Sequence, residues 1–357
     1  MTTRQALSAA ALATILALPA VSAHAAGYQI YVSNERSGDV TVIDGGTFKP
    51  VATFAVGKRP RGIHASPDGK SVYVALSGTP IEGPPELDAK GNPVFKRDKD
   101  DDDDKVASDK TADGVGVIDV ATRKVARKIN VGSDPEEFDI SADGKELFVS
   151  NEDVKTASLI DIASGKVAHI VPLSQEPEGV AVTPDGKRLF VTCETGGDIF
   201  VVDLATFKVV GQTKVGQRPR SVAFLQGGKL AVVPSESAGQ LYVIDTAKIA
   251  VVKTIPLAKG DRPMRLRVSA DGSKLYASTG RAGTVAVVDT ADFKVLDPIK
   301  VGQRPWGIVL SPDGKYLFSA NGPSNDVSVV DLATGKEVTR VKAGQSPWGV
   351  TVVKTGG

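Results

Sequence analysis

Cysteine is all but missing from this sequence: Cys193 stands alone among 357 residues. A single cysteine excludes an internal disulfide, a two-cysteine metal knuckle and the Cys-x-x-Cys-His attachment of a c-type heme, so stability must come from packing. Net charge is nearly as scarce. Lys and Arg number 43 against 42 Asp and Glu, which leaves no overall field to draw the chain to nucleic acid or to an anionic membrane. Histidine occurs only as His24, His64 and His169. There is no Gly-x-Ser-x-Gly elbow, no His-Glu-x-x-His and no glycine-rich phosphate loop, so no motif argues for an enzyme. Apolar runs stop short of the roughly 20 residues that cross a bilayer, and no membrane insertion is expected. The longest run, Ala6 to Val21, follows one early charge at Arg4 and precedes the small-residue site Ala23-His24-Ala25. Residues 1–25 therefore read as a cleaved secretory signal. Without a twin arginine before the apolar stretch, the general secretory route and a periplasmic location are expected.

What the sequence has in abundance is repetition. An aspartate closing an apolar pair recurs at Asp44, Asp119, Asp161, Asp203, Asp245, Asp289 and Asp331, in steps of 75, 42, 42, 42, 44 and 42. The proline of a Gly-x-x-Pro loop, with Ser174 once in place of the glycine, recurs in phase at Pro60, Pro135, Pro177, Pro219, Pro263, Pro305 and Pro347. The one long step is an ordinary repeat carrying an insertion of 33 residues. Within the unit from Trp306 to Ala343, four β-rich runs are separated by turn chemistry such as Ser311-Pro312-Asp313-Gly314. Four strands per repeat of about 40 residues is propeller spacing, and no window shows a 3.6-residue period. The expected fold is all-β: a seven-bladed β-propeller over residues 26–357, with residues 78–113 as a loop insertion. With strands lettered A to D from the channel outward, the mature chain opens on a B strand at Tyr28 and ends on an A strand at Gly349 to Val353. One blade is thus expected to be completed by both chain ends, which removes open edges.

The tetrads Tyr31-Val32-Ser33-Asn34, Phe148-Val149-Ser150-Asn151 and Phe190-Val191-Thr192-Cys193, with the Pro-Asp-Gly turns, resemble the YVTN family of propeller repeats from Tyr28 to Val353. Stretches such as Asn34-Glu35-Arg36-Ser37-Gly38, Lys58-Arg59-Pro60-Arg61-Gly62 and Gly132-Ser133-Asp134-Pro135-Glu136 look like one subgroup of it. That subgroup is encoded beside pyrroloquinoline-quinone-dependent alcohol catabolism and an ABC transport system. The resemblance implies a non-catalytic accessory role there, with a periplasmic dehydrogenase or transporter component as partner.

Strand alternation brings the D-to-A loops and the B-to-C loops to one face, where function is expected. Directly after the loop prolines stand Arg61, Glu136, Glu178, Arg220, Met264, Trp306 and Trp348. Variation at an equivalent repeat position marks a binding rim for a small ligand or a partner, with the tryptophans as apolar walls. His64, Arg265 and Arg267, with Glu137 and Asp139, put charge where other inner strands carry small residues such as Gly179, Ala181, Ser221 and Ala223; a wet, hydrogen-bonded channel is expected. Acidic residues gather in two adjacent blades and arginines in the next three, which suggests a mouth acidic on one side and basic on the other. Glu35, Glu152, Glu194 and Glu236 occupy equivalent positions and are candidate ligands for Ca²⁺ or a lanthanide; pairing with the arginines is the competing expectation. The insertion, with Asp98-Lys99-Asp100-Asp101-Asp102-Asp103-Asp104-Lys105, lacks the spacing of a calcium loop and reads as mobile. A ligand carrier and a propeller lactonase remain the alternatives to the scaffold reading, and the ligand, partner and oligomeric state are not legible.

Overall fold

The computed structural model describes residues 27–81, 108–174 and 176–355. The expected signal segment and the aspartate run of the insertion lie outside these residues. No helix of the described residues is long and apolar enough to cross a membrane.

Alternating short β-rich runs and tight turns give seven four-stranded antiparallel sheets among the described residues, each an A-B-C-D meander, and the chain is a seven-bladed β-propeller. The innermost strands, which ring the channel, are Ile63–Ala65, Pro135–Ile140, Pro177–Val182, Ala223–Leu225, Pro263–Val268, Pro305–Leu310 and Pro347–Lys354. We number the blades from the one closed by both chain ends: Pro347–Lys354 pairs antiparallel with Tyr28–Asn34, with Tyr31 opposite Thr351 and Gln29 opposite Val353. The ring closure expected from the sequence is thus observed. The insertion leaves blade 2 between its B strand Ser71–Leu76 and its C strand Gly114–Asp119.

The repeat markers have local jobs. Each marker aspartate ends a C strand and turns its carboxylate onto the backbone of the following turn: Asp44 Oδ1 accepts from Thr47 N at 2.8 Å, Asp161 from Ser164 N at 2.7 Å and Asp331 from Thr334 N at 2.9 Å. This is the side-chain mimic of a turn that aspartate favours. The hydroxyls of the B-strand tetrads join neighbouring blades: Ser33 Oγ donates to Arg61 O at 2.6 Å and Ser150 Oγ to Glu178 O at 2.5 Å, and Ser278 does the same for Trp306 O at 2.6 Å. Each bond holds the main chain of a rim residue in the next blade.

The core lies between blades. Tyr31, Phe138, Phe148, Phe190 and Phe318 are fully buried, and each such side chain stabilises the fold by about 1.5–3 kcal/mol. At the closing seam Phe318 meets Tyr28 edge-on, ring centroids 6.3 Å apart. The outermost strands carry Lys124, Arg127 and Lys128 in blade 2 and Lys336, Arg340 and Lys342 in blade 7, charges that blunt an exposed edge against strand addition.

Candidate functional site

The D-to-A and B-to-C loops meet on one face around a cavity of about 580 Å³. Its wall includes Arg61, Glu136, Glu178, Arg220, Trp306 and Trp348, six of the seven rim positions read from the sequence, with Glu35, Glu152 and Glu194 from the B-to-C loops. The seventh, Met264, is 2% exposed and lines a narrow cleft beneath the wall with Glu178, Arg265, Trp306 and Trp348. Two inner-strand glycines explain how the ring closes so tightly. A Cβ on Gly179 would sit 2.6 Å from the Arg220 carbonyl, and one on Gly349 2.6 Å from that of Arg61.

The backbone delivers a second set of side chains beside the rim positions, of which Asp134, Glu176, Arg218 and Arg304 were already expected at the mouth as charges of their blades. Arg59, Asp134, Glu176, Arg218, Arg304 and Ser346 each precede a loop proline, and each has φ between 42° and 57°. A residue before proline prefers extended backbone, and non-glycine residues held at positive φ cost on the order of 1–3 kcal/mol each. All six line the cavity. The cost is spent on aiming these side chains inward, and its only trace in the sequence is a run of polar residues before proline.

Ion pairs organise the mouth, and the separate acidic and basic sides expected from the blade order are not found. Arg220, from the loop entering blade 5, reaches back across blade 4. Its guanidinium pairs with Glu178, with Glu194 at 2.5 Å and with Glu236 at 2.6 Å. Arg218 adds a contact to Glu194 at 2.8 Å. Arg61 likewise reaches into blade 3, pairing with Glu136 and with Asp134 at 2.6 Å. The long arginine side chains carry positive charge into the acidic sector, which blade membership alone does not show.

These pairs divide the four candidate metal ligands. Glu35 pairs with Arg59 at 3.0 Å, and Glu194 and Glu236 pair with arginines, so the four carboxylates do not converge on one point. Among the described residues one carboxylate group could hold an ion, Asp134 with Glu136 and Glu152, its ligand atoms within 4.8 Å of one another. The Arg61 guanidinium already serves two of its three members. Burial pushes the Glu152 carboxyl up to about 8, Arg61 opposing and Asp134 and Glu194 reinforcing the shift. Burial also raises Glu178 well above the ordinary carboxylate range; Arg220 opposes this and Glu194 adds to it. Glu236 is buried too, but Arg220 and Arg218 together bring it down to about 2. One guanidinium shared by three carboxylates leaves Glu178 under-compensated.

The opposite wall is aromatic. Trp306 and Trp348 stack at 5.4 Å between centroids and 22° between planes. Arg304 and Arg220 lie over Trp306 at 5.2 and 5.7 Å, and Arg265 over Trp348 at 5.7 Å, so cations hold the pair on both sides. The root of the insertion borders the same mouth through Thr79 and Ile81. It is tied down by Gly78 N donating to Asp113 at 2.7 Å and by the ion pairs Lys58 to Asp109 at 2.7 Å and Lys110 to Asp153.

Inside the ring, Arg265 of blade 6 crosses to Glu137 of blade 3, and His64 Nε2 contacts the same carboxylate at 2.7 Å. Burial lowers His64 to about 3; Asp139 opposes this while Arg267 and Arg265 reinforce it. The charged channel expected from the inner-strand residues is therefore present, though His64 and Arg267 stand apart from the cavity wall.

A closed seven-bladed ring with one built mouth defines a propeller whose loops form a polar pocket. Residues 177–355 match the family model described as the cytochrome D1 heme domain, and the chain belongs to that family. None of the curated proteins is detectably similar in sequence. Among solved structures, hydrazine synthase of Kuenenia stuttgartiensis is 20% identical, with TM-score 0.67, covering 88% of this chain and 99% of its own. A Bacteroides uniformis protein described as a candidate 6-phosphogluconolactonase is 18% identical, with TM-score 0.71 and coverage of 91% and 99%. A functionally unknown protein of Desulfotomaculum acetoxidans is 14% identical, with TM-score 0.72 and coverage of 92% and 99%. At these identities the likeness is one of fold.

The family raises the question of heme, and the mouth does not fit an iron held by histidine. No histidine lines the cavity. His64 is engaged with Glu137, and His169 lies on an outer strand stacked on Phe207, centroids 3.5 Å apart. Of the six arginines that line the cavity, Arg59, Arg61, Arg218 and Arg220 are paired with glutamates.

Proposed function

We propose that this chain is a non-catalytic periplasmic binding protein that holds a small polar ligand at the propeller mouth. In keeping with the subgroup resemblance, we assign it an accessory role in quinoprotein alcohol oxidation or the transport linked to it. The observation that carries the reading is the joining, around one cavity of about 580 Å³, of a stacked tryptophan wall with carboxyls whose geometry is locked by Arg61 and Arg220. That volume lies in the range of small-molecule sites, and rigid aromatic anchors beside a few fixed polar groups are how such sites gain affinity. Glu152, raised to about 8, offers a hydroxyl donor to a ligand's oxygens near neutral pH.

Calorimetry of the mature protein against pyrroloquinoline quinone, Ca²⁺, a lanthanide and short alcohols, repeated on Trp306→Ala, tests this. Saturable binding weakened by the substitution supports the pocket; binding unaffected by it, or no binding together with stable capture of a periplasmic dehydrogenase, moves the function to docking. A hydrolase reading draws on one observation, a raised Glu178 carboxyl facing the cavity as a general acid would. Lactone turnover abolished in Glu178→Gln would establish it.

A further inference from the structure

We infer that the channel below the mouth contains a second, separate binding site, for a small oxyanion, centred on Arg267. The inner strand Pro263–Val268 of blade 6 places Arg265 and Arg267 two residues apart, hence on the same side of that strand. Arg265 is satisfied by the crossing to Glu137. Arg267 is not: its side chain makes one hydrogen bond, from Nη1 to the carbonyl of its neighbour Leu266 at 2.9 Å, and it forms no ion pair among the described residues. Guanidinium carries five N–H donors, so most of those on Arg267 have no acceptor.

The carboxylate best placed to serve it is Asp139 of blade 3, whose field acts on Arg267. Both Asp139 oxygens are already taken by main-chain amides, Oδ1 by Ile140 N and Oδ2 by Val182 N, each at 2.8 Å. Glu137 is shared between Arg265 and His64. The charged and titratable groups around the site are therefore Arg265 from blade 6, His64 from blade 2, and Glu137 and Asp139 from blade 3. None of them offers Arg267 a close oxygen. Solvent reaches this depth, since the His64 side chain is 25% exposed and that of Arg265 14%, and Arg267 is itself only half-buried.

Arg267 is half-buried and has no carboxylate partner among the described residues, and a planar fork of N–H groups is complementary to two oxygens of a carboxylate or phosphate. The electrostatics agree: burial lowers Arg267, with only Asp139 opposing, and burial with Arg267 lowers Arg265 to about 9. The mouth shows the contrast, because Arg61 and Arg220 there are each paired with two or more carboxylates.

Inorganic phosphate is the probe, with sulfate as a second oxyanion and chloride at matched ionic strength as the control. Thermal unfolding of the full mature protein should shift upward saturably with phosphate and not with chloride. In Arg267→Met the shift should vanish, and calorimetric affinity should fall roughly tenfold to hundredfold, the worth of charge-assisted hydrogen bonds. Without oxyanion, Arg267→Met should be at least as stable as the parent, because it removes an uncompensated charge. By NMR, the His64 imidazole should titrate at higher pH when phosphate is present. An Arg267→Met protein that is less stable than the parent with no dependence on phosphate would show that Asp139 alone holds the guanidinium, and would overturn the site. An equal phosphate shift in both proteins would place the anion elsewhere. Trp306→Ala, a change in the mouth wall, should leave the phosphate shift intact, so the two sites fail independently.

Discussion

The mouth and the channel beneath it contain the same residue types, paired differently. At the mouth, Arg220 serves three glutamates and Arg61 two acids, so carboxyls are left over and rise, Glu152 to about 8. In the channel two arginines face two carboxylates, yet Glu137 takes Arg265 and Asp139 accepts from main-chain amides, so Arg267 forms no ion pair among the described residues and burial lowers it. The mouth is also the more deeply buried, with Arg61 at 2% exposure against 14% for the Arg265 side chain. Net charge close to zero over the whole chain thus conceals a mouth with surplus acid and a channel with one guanidinium outside any ion pair of the described residues.

The largest effect should come from removing the arginine on which the mouth depends. Arg220→Met leaves Glu178, Glu194 and Glu236 buried around an apolar side chain and should cost about 3–5 kcal/mol in urea unfolding. A loss under about 1 kcal/mol would mean the glutamates simply protonate, and the contrast with the channel would collapse. Next in size is Trp306→Ala, expected to weaken ligand affinity about thirtyfold, a change of about 2 kcal/mol, as read by calorimetry.

The pH dependence should separate the carboxyls. A Glu152 carboxyl raised from 4.5 to about 8 stabilises the fold fully below pH 4.5, and that contribution is lost as the pH rises through 8. Glu152→Gln should flatten the stability profile across this window and be the more stable form at its upper end. Glu236 has the opposite sign: lowered to about 2, it stabilises above its ordinary value of 4.5, and the contribution is lost as pH falls toward 2. Glu236→Gln should therefore be most harmful at neutral pH and nearly neutral at pH 2, as measured by thermal unfolding. Smallest of all, Ser150→Ala removes the hydroxyl bonded to the Glu178 carbonyl and should cost about 1 kcal/mol, with no change in pH profile.

The ring was legible in the sequence because blade identity is written locally, in turn aspartates, loop prolines and β-rich runs recurring every 42 residues. Closure followed from which strand each end supplies. The rim positions were legible for the same reason, since equivalent positions in a closed repeat lie around one axis. Partnership was not legible. Arg220 and Glu178 are 42 residues apart, Arg61 and Glu136 75, and Arg265 reaches Glu137 across the ring, so side-chain length and direction decide who meets whom. The expectation of two charged sides failed on this point, and the four equivalent glutamates failed to form a metal site because arginines reached three of them first. The backbone conformation of the pre-proline residues was not legible, because positive φ there runs against local preference; only the packed ring imposes it.

Carboxyl titration by NMR of the mature protein labelled with ¹³C at glutamate tests the central claim, surplus acid at the mouth, most directly. The account expects one glutamate to titrate near pH 8, and expects that signal to disappear in Glu152→Gln. A spectrum in which every glutamate finishes titrating below about pH 5.5, within the usual range for folded proteins, would contradict it.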